Sequence, residues 1–530
     1  MKKYDAIVIG GGHNGLVNAA YLAKAGKKVL VLERRHLVGG ATVTEEIFPG
    51  FKYSVFSYVV SLLRPEIIRD LSLPKHGLMM LPLESTLTPL PDGNYLYRDG
   101  DPNKTRRNIA RFSPSDAEAY AEYGREMHFL AKAVKPLLGI VPPDPSSNRP
   151  GDLYGLFDVA KTMLKLPTEQ VYQLIKIMTM SSADFLERWF ESDPLIATLS
   201  ASGIIGTFLG PRSPGSAYVL LHHYMGEIDG NFRAWGFARG GTGSVANAIA
   251  AAAQSFGVEI RTLASVDQVI VKNGKATGVA LNTGEEIAAD LVVSALDPFH
   301  TFLRMVEKEH LPADLRKSIK KFRYRGSSGK VNLALDGLPE LACLPGVGPH
   351  LRGAISISPS VDYLERAYDD AKYGRFSREP YMDIIIPSMI DPAMAPPGKH
   401  VMSCFVQYAP YELSEGNWRD QREAFGDAVV NTLSKYFPNI KNLILHRQVI
   451  TPADIEETTG LTQGNIFQGE LSLSQLFFLR PAAGWAKYRT PIKGYYQCGS
   501  GTHPGGGIMG APGRLAALEI INDLKHGINR

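Results

Sequence analysis

The glycines near the start of the chain are spaced to hold a phosphate group against the backbone. Gly10, Gly12 and Gly15 follow the apolar run Ala6–Ile9 and open a predicted helix that ends at Gly26. Gly10 permits a tight turn, Gly12 lets the backbone approach a pyrophosphate, and Gly15 lets helix and strand pack closely. The free N–H groups at the helix start attract phosphate oxygens. This spacing therefore predicts a dinucleotide site.

A second apolar run, Val29–Leu32, completes a strand–helix–strand unit and ends in Glu33. A carboxylate at this point accepts hydrogen bonds from ribose hydroxyls, and it repels a 2′-phosphate. The unit therefore favours a dinucleotide that lacks this phosphate and argues against NADP. The glycines combined with both strands, the helix and the terminal acid are far more specific than the glycines alone.

Two further glycine-rich segments lie far downstream. The first, Ala238–Ser244, precedes a predicted alanine-rich helix over 245–255 and the strands of a small antiparallel meander. The second, 495–513, precedes a predicted helix over 514–524. Three of its glycines repeat the dinucleotide spacing, but no second strand with a terminal acid follows. A second complete nucleotide-binding unit is therefore excluded.

Together these segments resemble the FAD-binding parts of the amine oxidase and phytoene desaturase superfamily, from Tyr4 to about Leu524. The Gly-Thr-His-Pro-Gly-Gly-Gly block at 501–507 resembles most closely the branch named after a pyridine nucleotide-disulfide oxidoreductase domain. The resemblance implies one bound FAD. It also implies that this cofactor carries the difficult redox step while the protein aligns a C–H bond with it.

The resemblance implies an α/β fold. We expect an FAD-binding Rossmann-type, glutathione reductase-like domain with an interleaved α+β substrate domain. The FAD-binding domain is predicted to comprise residues 1–74, 236–299 and 461–530, and the substrate domain residues 75–235 and 300–460.

The predicted cofactor-binding residues all lie in or next to the elements described above. They are Gly10, Gly12, His13, Asn14, Gly15, Glu33, Arg34, Gly39, Gly40, Ala41, Thr42, Val266, Gly499, Ser500, Met509 and Gly510. The resemblance implies that backbone around Val266 contacts the adenine. Ala41 stands where relatives carry an arginine, and Ser500 where many carry an acid. We expect the helix after Gly510, with Arg514 in its first turn, to direct its positive end at the flavin ring.

The sequence shows no Ser/His/Asp pattern and no metal-ligand spacing, so no metal is expected. His503, which lies inside the C-terminal glycine block, is the candidate catalytic residue, and shaping of the turn is the alternative. Another group of residues is a candidate either for an apolar pocket or for core packing: Tyr218, His222, His223, Tyr224, Phe232 and Trp235.

The leading prediction is an FAD-dependent oxidoreductase that desaturates, saturates or isomerises a carbon–carbon bond of a carotenoid-, retinoid- or lipid-like substrate. A flavin amine oxidase is an alternative, weakened because its aromatic cage and active-site lysine cannot be placed in the sequence. A flavin-bearing regulatory or interaction protein with little turnover is a third possibility.

Bulk composition restricts partners and location. A net charge of +4 from 57 basic and 53 acidic residues does not indicate a nucleic-acid partner. Three isolated cysteines and the lack of a signal segment predict a cytoplasmic protein without disulfides. Amphipathic helices are predicted over 153–166 and 170–180, with Lys161, Lys165 and Lys176. They are interpreted as surface helices packed on the core or as a peripheral membrane contact.

Overall fold

The cofactor-binding candidates surround one edge of a mainly parallel sheet. The computed structural model describes residues 3–228, 230–232 and 235–528. In its first sheet Tyr4–Ile9 is central, and it pairs in parallel with Val29–Leu32 on one side and Glu286–Ser294 on the other. Glu259–Arg261 and Tyr495–Gln497 extend the two sides, also in parallel. The carboxyl ends of these strands therefore meet along one edge, where ligands of such sheets bind.

The same sheet continues into an antiparallel meander. The first half of Glu286–Ser294 pairs with Lys275–Leu281, which in turn pairs with Val266–Lys272. Distant parts of the chain thus contribute to one sheet, as the interleaved arrangement predicts. The domain boundaries themselves stay a prediction.

Helices cover the parallel strands, which explains why these strands are apolar on both faces. His13–Lys24 packs against both Gly243–Ser255 and Ala511–His526, and all three contribute to one buried cluster. Alanine and glycine on these helices allow close approach of the backbones. Pro298–Leu303 and Ala313–Lys321 pack on a second cluster with the meander.

The second large sheet is mostly antiparallel. Its strands in spatial order are Ile444–Ile450, Ser328–Leu335, His400–Gln407, Tyr381–Ile385, Ala354–Ile357, Ser85–Pro89 and Tyr95–Asp99. Only the pairing of Ala354–Ile357 with Ser85–Pro89 is parallel among these neighbours. Trp418–Tyr436 packs on the sheet through Phe425, Val429 and Leu433, which are buried.

A helical region accompanies this sheet. Its helices are Pro102–Ala110, Pro114–Val134, Pro150–Leu164, Thr168–Thr179, Ser182–Leu186, Asp193–Ala201 and Ser216–Tyr224. The remaining helices are Pro65–Asp70, Val361–Lys372, Ile440–Leu443 and Pro452–Thr459. Short strand pairs join Thr44–Phe48 to Phe51–Ser54, Met80–Pro82 to Gly236–Ala238, and Glu227–Ile228 to Asn231–Phe232. The predicted fold class, a Rossmann-type sheet with an interleaved α+β part, is confirmed.

Two consecutive helices expose apolar side chains to solvent. Pro150–Leu164 and Thr168–Thr179 carry the exposed residues Leu153, Tyr154, Phe157, Leu164, Tyr172 and Ile175, among which Leu164 is 85% exposed. The opposite face of Thr168–Thr179 buries Leu174 and Ile177 in the core. Within the described residues, none of the helices is both long enough and apolar enough to cross a membrane.

Candidate functional site

The first glycine turn is shaped around open space. Gly10 has φ +94°, which a side chain rarely allows. A Cβ on Gly15 would lie 2.2 Å from the carbonyl oxygen of Gly10, so helix and strand need glycine there. A Cβ on Gly12, in contrast, would meet no atom within 4 Å. Gly12 therefore borders a cavity beside the helix start, where a pyrophosphate fits.

Two polar atoms of the same turn are buried without a partner in this cavity wall. They are Nε2 of His13 and Oδ1 of Asn14. His13 is otherwise bonded through Nδ1 to Oγ1 of Thr42 at 3.3 Å, and Asn14 donates to Oγ of Ser500 at 2.9 Å. Buried polar atoms normally have partners. A polar ligand such as FAD would supply them, so the residues present fit the cofactor that the sequence implies.

Glu33 is held in place at the end of its strand. Its carboxylate accepts the N–H of Gly11 at 2.8 Å and the N–H of Arg35 at 2.9 Å. The segment Ala264–Val266 lies next to it, since the N–H of Ala264 donates to the Glu33 carbonyl at 2.9 Å. Both border the cavity. This is where the ribose and adenine of a dinucleotide would lie in such a unit.

The second glycine pair closes against the first turn. Gly39 and Gly40 have φ +124° and +61°, and the N–H of Gly39 donates to the carbonyl of Gly11 at 2.8 Å. A Cβ on Gly40 would lie 3.4 Å from Cα of Gly12. Arg34 borders the cavity, but its guanidinium donates to the carbonyls of Glu457 and Thr458.

Most of the predicted cofactor residues therefore border one cavity. It is lined by Gly10, Gly12, His13, Asn14, Gly15, Glu33, Arg34, Gly39, Gly40, Ala41, Val266 and Ser500, together with Asp297, His300 and Leu461 among others. Thr42 borders an adjoining second cavity. The sequence patterns did not indicate Asp297, His300 or Leu461, because they come from segments without a recognisable spacing.

The C-terminal block differs from the expectation in detail. Gly499, Met509 and Gly510 line neither cavity. A Cβ on Gly499 would lie within 2.7 Å of two carbonyls, so this glycine is required by packing. Met509 is buried against Leu62, and Gly510 forms the left-handed turn that caps the last helix. Gly507 and Ile508 line the second cavity instead.

The expectation for Arg514 is wrong. Its guanidinium lies over the ring of Tyr21 and approaches Asp70, with Nε 3.8 Å from Oδ2, so it does not point at the cavities. The first turn of its helix packs closely on the first helix, since a Cβ on Gly513 would lie 2.1 Å from the Asn14 carbonyl, and the direction of its positive end towards the flavin ring stays a prediction. The charge of Arg514 therefore serves the packing of the first and last helices.

His503 also lies away from both cavities. Its Nε2 donates to the carbonyl of Leu137 at 3.0 Å, and its ring packs beside that of Phe477. Burial lowers the pKa of His503 to about 4. A neutral histidine that ties the glycine block to the helical region is favoured over the predicted catalytic role.

The second cavity has an apolar, aromatic wall. It shares His13, Ala41, Ile466 and Ser500 with the first cavity. Its further lining includes Phe56, Tyr58, Ile205, His223, Trp235, Phe405 and Phe467. Among the described lining residues none is acidic, lysine or arginine, and burial lowers the pKa of His223 to about 4. The cavity next to the cofactor position is thus uncharged.

The aromatic and histidine candidates separate into two groups. His223 and Trp235 line the second cavity, whereas Tyr218, His222 and Tyr224 are buried outside its lining. The side chain of Phe232 lies outside the described residues.

Lys330 is a residue that the sequence patterns missed. It is fully buried on Ser328–Leu335, and its Nζ donates to the carbonyls of Ser54 and Ser57. Ser57 lines the second cavity. Burial lowers the pKa of Lys330 to about 7. The sequence could not place the active-site lysine of a flavin amine oxidase, and the structure brings this lysine close to the second cavity; the available signal was one lysine within an otherwise uncharged strand.

The three cysteines are poorly suited to act as redox or nucleophilic groups. Burial raises the pKa of Cys404 to about 12 and that of Cys343 to about 11, and the pKa of Cys498 is also raised. Such thiols are poor nucleophiles. Among the described residues no group of three or more His, Cys, Asp and Glu could hold a metal ion.

The parallel sheet, the glycine turns and the acidic strand end define a dinucleotide-binding flavoprotein. Residues 15–521 match the family described as flavin containing amine oxidoreductase. The chain belongs to this family, and it is an FAD-dependent oxidoreductase.

Curated proteins and solved structures resemble the chain along nearly its whole length. It is 41% identical to "Pyridine nucleotide-disulfide oxidoreductase domain-containing protein 2" of Rattus norvegicus, over 99% of this chain and 94% of that protein. It is 27% identical to a limonene dehydrogenase component of Castellaniella defragrans, over 100% and 96%. The crystal structure of an oxidoreductase from Methanosarcina mazei is similar with a TM-score of 0.60 at 19% identity, over 98% and 100%, which supports the fold.

We expect the purified protein to be yellow and to release FAD, and not FMN, on denaturation. Gly12→Val should fold but be colourless, because the new side chain occupies the pyrophosphate space. Gly100→Val is the matched control, since an added Cβ there also meets no atom within 4 Å. Absorbance and chromatography of the released cofactor measure both. FMN in the native protein, or full flavin content in Gly12→Val, would contradict the assignment.

Buried histidines should make the folded chain sensitive to acid. The pKa of His503 is lowered from 6.5 to about 4, so between these values the unfolded chain binds more protons. The free energy of unfolding therefore falls as the pH decreases through this window. One unit of pKa shift corresponds to 1.36 kcal/mol, so His503→Gln should reduce the loss of unfolding free energy at low pH by roughly 3 kcal/mol. Urea unfolding at pH 6.5 and 4 measures it. His526→Gln, at an exposed site, is the control, and an equal loss in both variants would refute the prediction.

Proposed function

We propose that this oxidoreductase acts on an uncharged apolar substrate and desaturates, saturates or isomerises one of its carbon–carbon bonds. The observation that carries this proposal is the uncharged second cavity beside the cofactor position. A charged substrate would lose its hydration there without gaining an opposite charge, which costs several kcal/mol or more. An apolar substrate gains by the same burial.

The residues of this cavity support positioning more than proton transfer. His13 and His223 are neutral at physiological pH, because burial lowers the pKa of each to about 4. Bound FAD supplies two-electron redox chemistry. The aromatic pair Tyr58 and Phe405, stacked with ring centroids 5.4 Å apart, forms a flat wall against which a carbon skeleton can be oriented. The Castellaniella defragrans relative is named for limonene, a hydrocarbon, in agreement with this substrate class.

Amine oxidation is the second candidate function. The family name includes amine oxidoreductases. Lys330, whose pKa is lowered to about 7 by burial, lies behind Ser57 of the same cavity and could exchange a proton near neutral pH. The lack of an acidic residue in the described lining weighs against binding of a cationic amine.

Val59 offers a test of the charge preference, because it lines the second cavity and is only partly buried. Val59→Asp and Val59→Asn have nearly the same shape and differ in charge. With terpenes, carotenoids, lipids and amines tested anaerobically, we expect an apolar compound to bleach the flavin. The Asp variant should react at least about tenfold more slowly than the Asn variant, given the cost of burying charge. Bleaching by amines alone, or faster amine reaction in native protein than with any hydrocarbon, would overturn the proposal.

We also propose a peripheral location on an anionic lipid surface. The exposed apolar residues of Pro150–Leu164 and Thr168–Thr179 are accompanied by Lys161, Lys165 and Lys176, with Asp158 and Glu169 as the exposed acids of the same helices; Asp152 is buried and paired with Lys487. Apolar side chains flanked by lysines are typical of helices that lie in a membrane interface. Thr168–Thr179 also packs on Ser216–Tyr224, which carries His223 of the second cavity. One packed helix thus connects the exposed apolar helices to the second cavity.

Co-sedimentation with phosphatidylcholine vesicles, with and without phosphatidylglycerol, tests this location. We expect binding to the anionic vesicles and a loss of roughly tenfold or more in Phe157→Glu/Leu164→Glu, since two apolar side chains no longer enter the interface. Val347→Glu/Tyr373→Glu, at exposed apolar sites elsewhere, is the matched control. Unchanged vesicle binding in Phe157→Glu/Leu164→Glu would contradict the proposal. A native dimer in solution that dissociates in this variant would also contradict it.

A further inference from the structure

Arg480 is a fully buried cation behind the wall shared by the two cavities. Its guanidinium donates only to main-chain carbonyls, at distances of 2.9 to 3.2 Å. These carbonyls belong to Phe467, Gly469, Glu470, Gln475 and Ser500. Carbonyl dipoles satisfy the N–H groups but leave the net charge in place.

No neighbouring acid cancels this charge. Within the described part of the chain Arg480 forms no ion pair. The carboxylate of Glu470 forms salt bridges with Arg325 and Arg323, with N···O distances of 2.6 and 3.6 Å. Burial lowers the pKa of Arg480 to about 10, so it stays protonated at neutral pH. A buried cation without a counter-charge is costly and rare.

The groups that face Arg480 from other elements are neutral. Burial raises the pKa of Tyr218 and Tyr324, and it lowers the pKa of His503 to about 4 and that of His222 to about 3. The charge of Arg480 contributes to the lowered pKa of both histidines. Its field therefore reaches the residues around the C-terminal glycine block without being compensated there.

The residues whose carbonyls accept the hydrogen bonds of Arg480, here called its tethers, connect it to the cofactor position. Ser500 lines both cavities, and Phe467 lines the second. Gln468, between two tethered residues, lines the first. The guanidinium is thus one residue behind the wall of each cavity. Ser500 itself brings no carboxylate to this wall, and the acids that line the first cavity, Asp297 and Glu33, accept main-chain N–H groups at 2.8 to 2.9 Å.

We propose that Arg480 is an electrostatic positioning residue that stabilises the reduced, anionic form of the bound flavin and so raises its reduction potential. Transfer of a hydride from a substrate C–H brings two electrons and one proton to the ring and leaves one negative charge on it. A fixed cation in a low-dielectric interior favours that charge without reorganisation. The effect requires bound FAD but does not depend on the identity of the substrate.

Three variants of Arg480 separate its charge from its tethers. Arg480→Gln and Arg480→Met remove the charge, and Arg480→Lys keeps it while losing most donors. In FAD-loaded protein we expect Gln and Met to lower the preference for reduced over oxidised flavin about tenfold, which is about 30 mV for a two-electron couple. Arg480→Lys should stay within about threefold of the native protein. Dye-equilibrated anaerobic titration measures the potential, and thermal unfolding reports the structural cost separately.

Sulfite gives a second readout without an organic substrate. It adds to N5 of oxidised flavin through its own electron pair and leaves a negative charge on the ring. The dissociation constant for sulfite should therefore rise about tenfold in Arg480→Gln. A native potential and native sulfite affinity in the FAD-loaded Gln variant would overturn the proposal, and so would an equal shift in the Lys variant.

A further pair of variants covers the case in which Arg480→Gln does not fold. Phe322 lies beside the guanidinium, 5.6 Å from ring centroid to Cζ, and lines neither cavity. Phe322→Asp places a carboxylate next to Arg480 without replacing any residue that accepts its hydrogen bonds, and Phe322→Asn, which changes the same contact with Gly469, is its neutral match. We expect Phe322→Asp alone to lower the potential and weaken sulfite binding. Equal values in this pair would overturn the proposal.

Discussion

The structure depends on the close approach of two glycine turns at the carboxyl edge of the parallel sheet. The N–H of Gly39 bonds the carbonyl of Gly11 at 2.8 Å, and Gly40 comes so near Gly12 that a Cβ would stand 3.4 Å from its Cα. Gly39 must be glycine, because a Cβ there would stand 2.4 Å from the Thr42 carbonyl, and the space beside Gly12 stays open, so the floor of the cofactor cavity is main chain. The first N–H groups of the helix His13–Lys24 have no intrahelical partner and are available to phosphate oxygens, and the rest of the site is arranged around that floor.

The second constraint is the exclusion of charge from the space beyond this floor. The lining of the second cavity is uncharged in the described residues, and two buried cations, Lys330 and Arg480, lie behind it and donate to carbonyls. Desolvation keeps the histidines neutral and makes Lys330 easy to deprotonate. Withdrawn cations act through their field and not through contact, so they favour negative charge on the cofactor while leaving an apolar surface for the substrate.

The sequence predicted the parts that local spacing controls. The glycine turn, the helix starting at His13 and the strands ending at Ile9 and Leu32 follow from short-range turn chemistry and apolar periodicity. Arg480 could not be predicted and Lys330 left only a weak signal, because a buried cation is recognised by what surrounds it, and their carbonyl partners lie elsewhere in the chain. Arg514 shows the opposite error. Its place in the first helical turn suggested the flavin, but the partners Asp70 and Tyr21 are set by packing of the first helix.

Family membership leaves the substrate class open, and the proposal of an apolar substrate rests on the residues that line the second cavity. The dinucleotide turn is common to enzymes of different chemistry, because FAD itself performs the two-electron step. Selection between a neutral carbon skeleton and a cationic amine must come from the walls next to the ring. A cation entering between Tyr58 and Trp235 would gain ring contacts worth about 0.5–2 kcal/mol, and behind the wall it would face Arg480 and Lys330 as well as the carboxyl of Asp383, which accepts the Tyr58 hydroxyl at 3.0 Å. A neutral skeleton buries apolar area against the same rings without facing any of these charges, and the proposed substrate class rests on this difference.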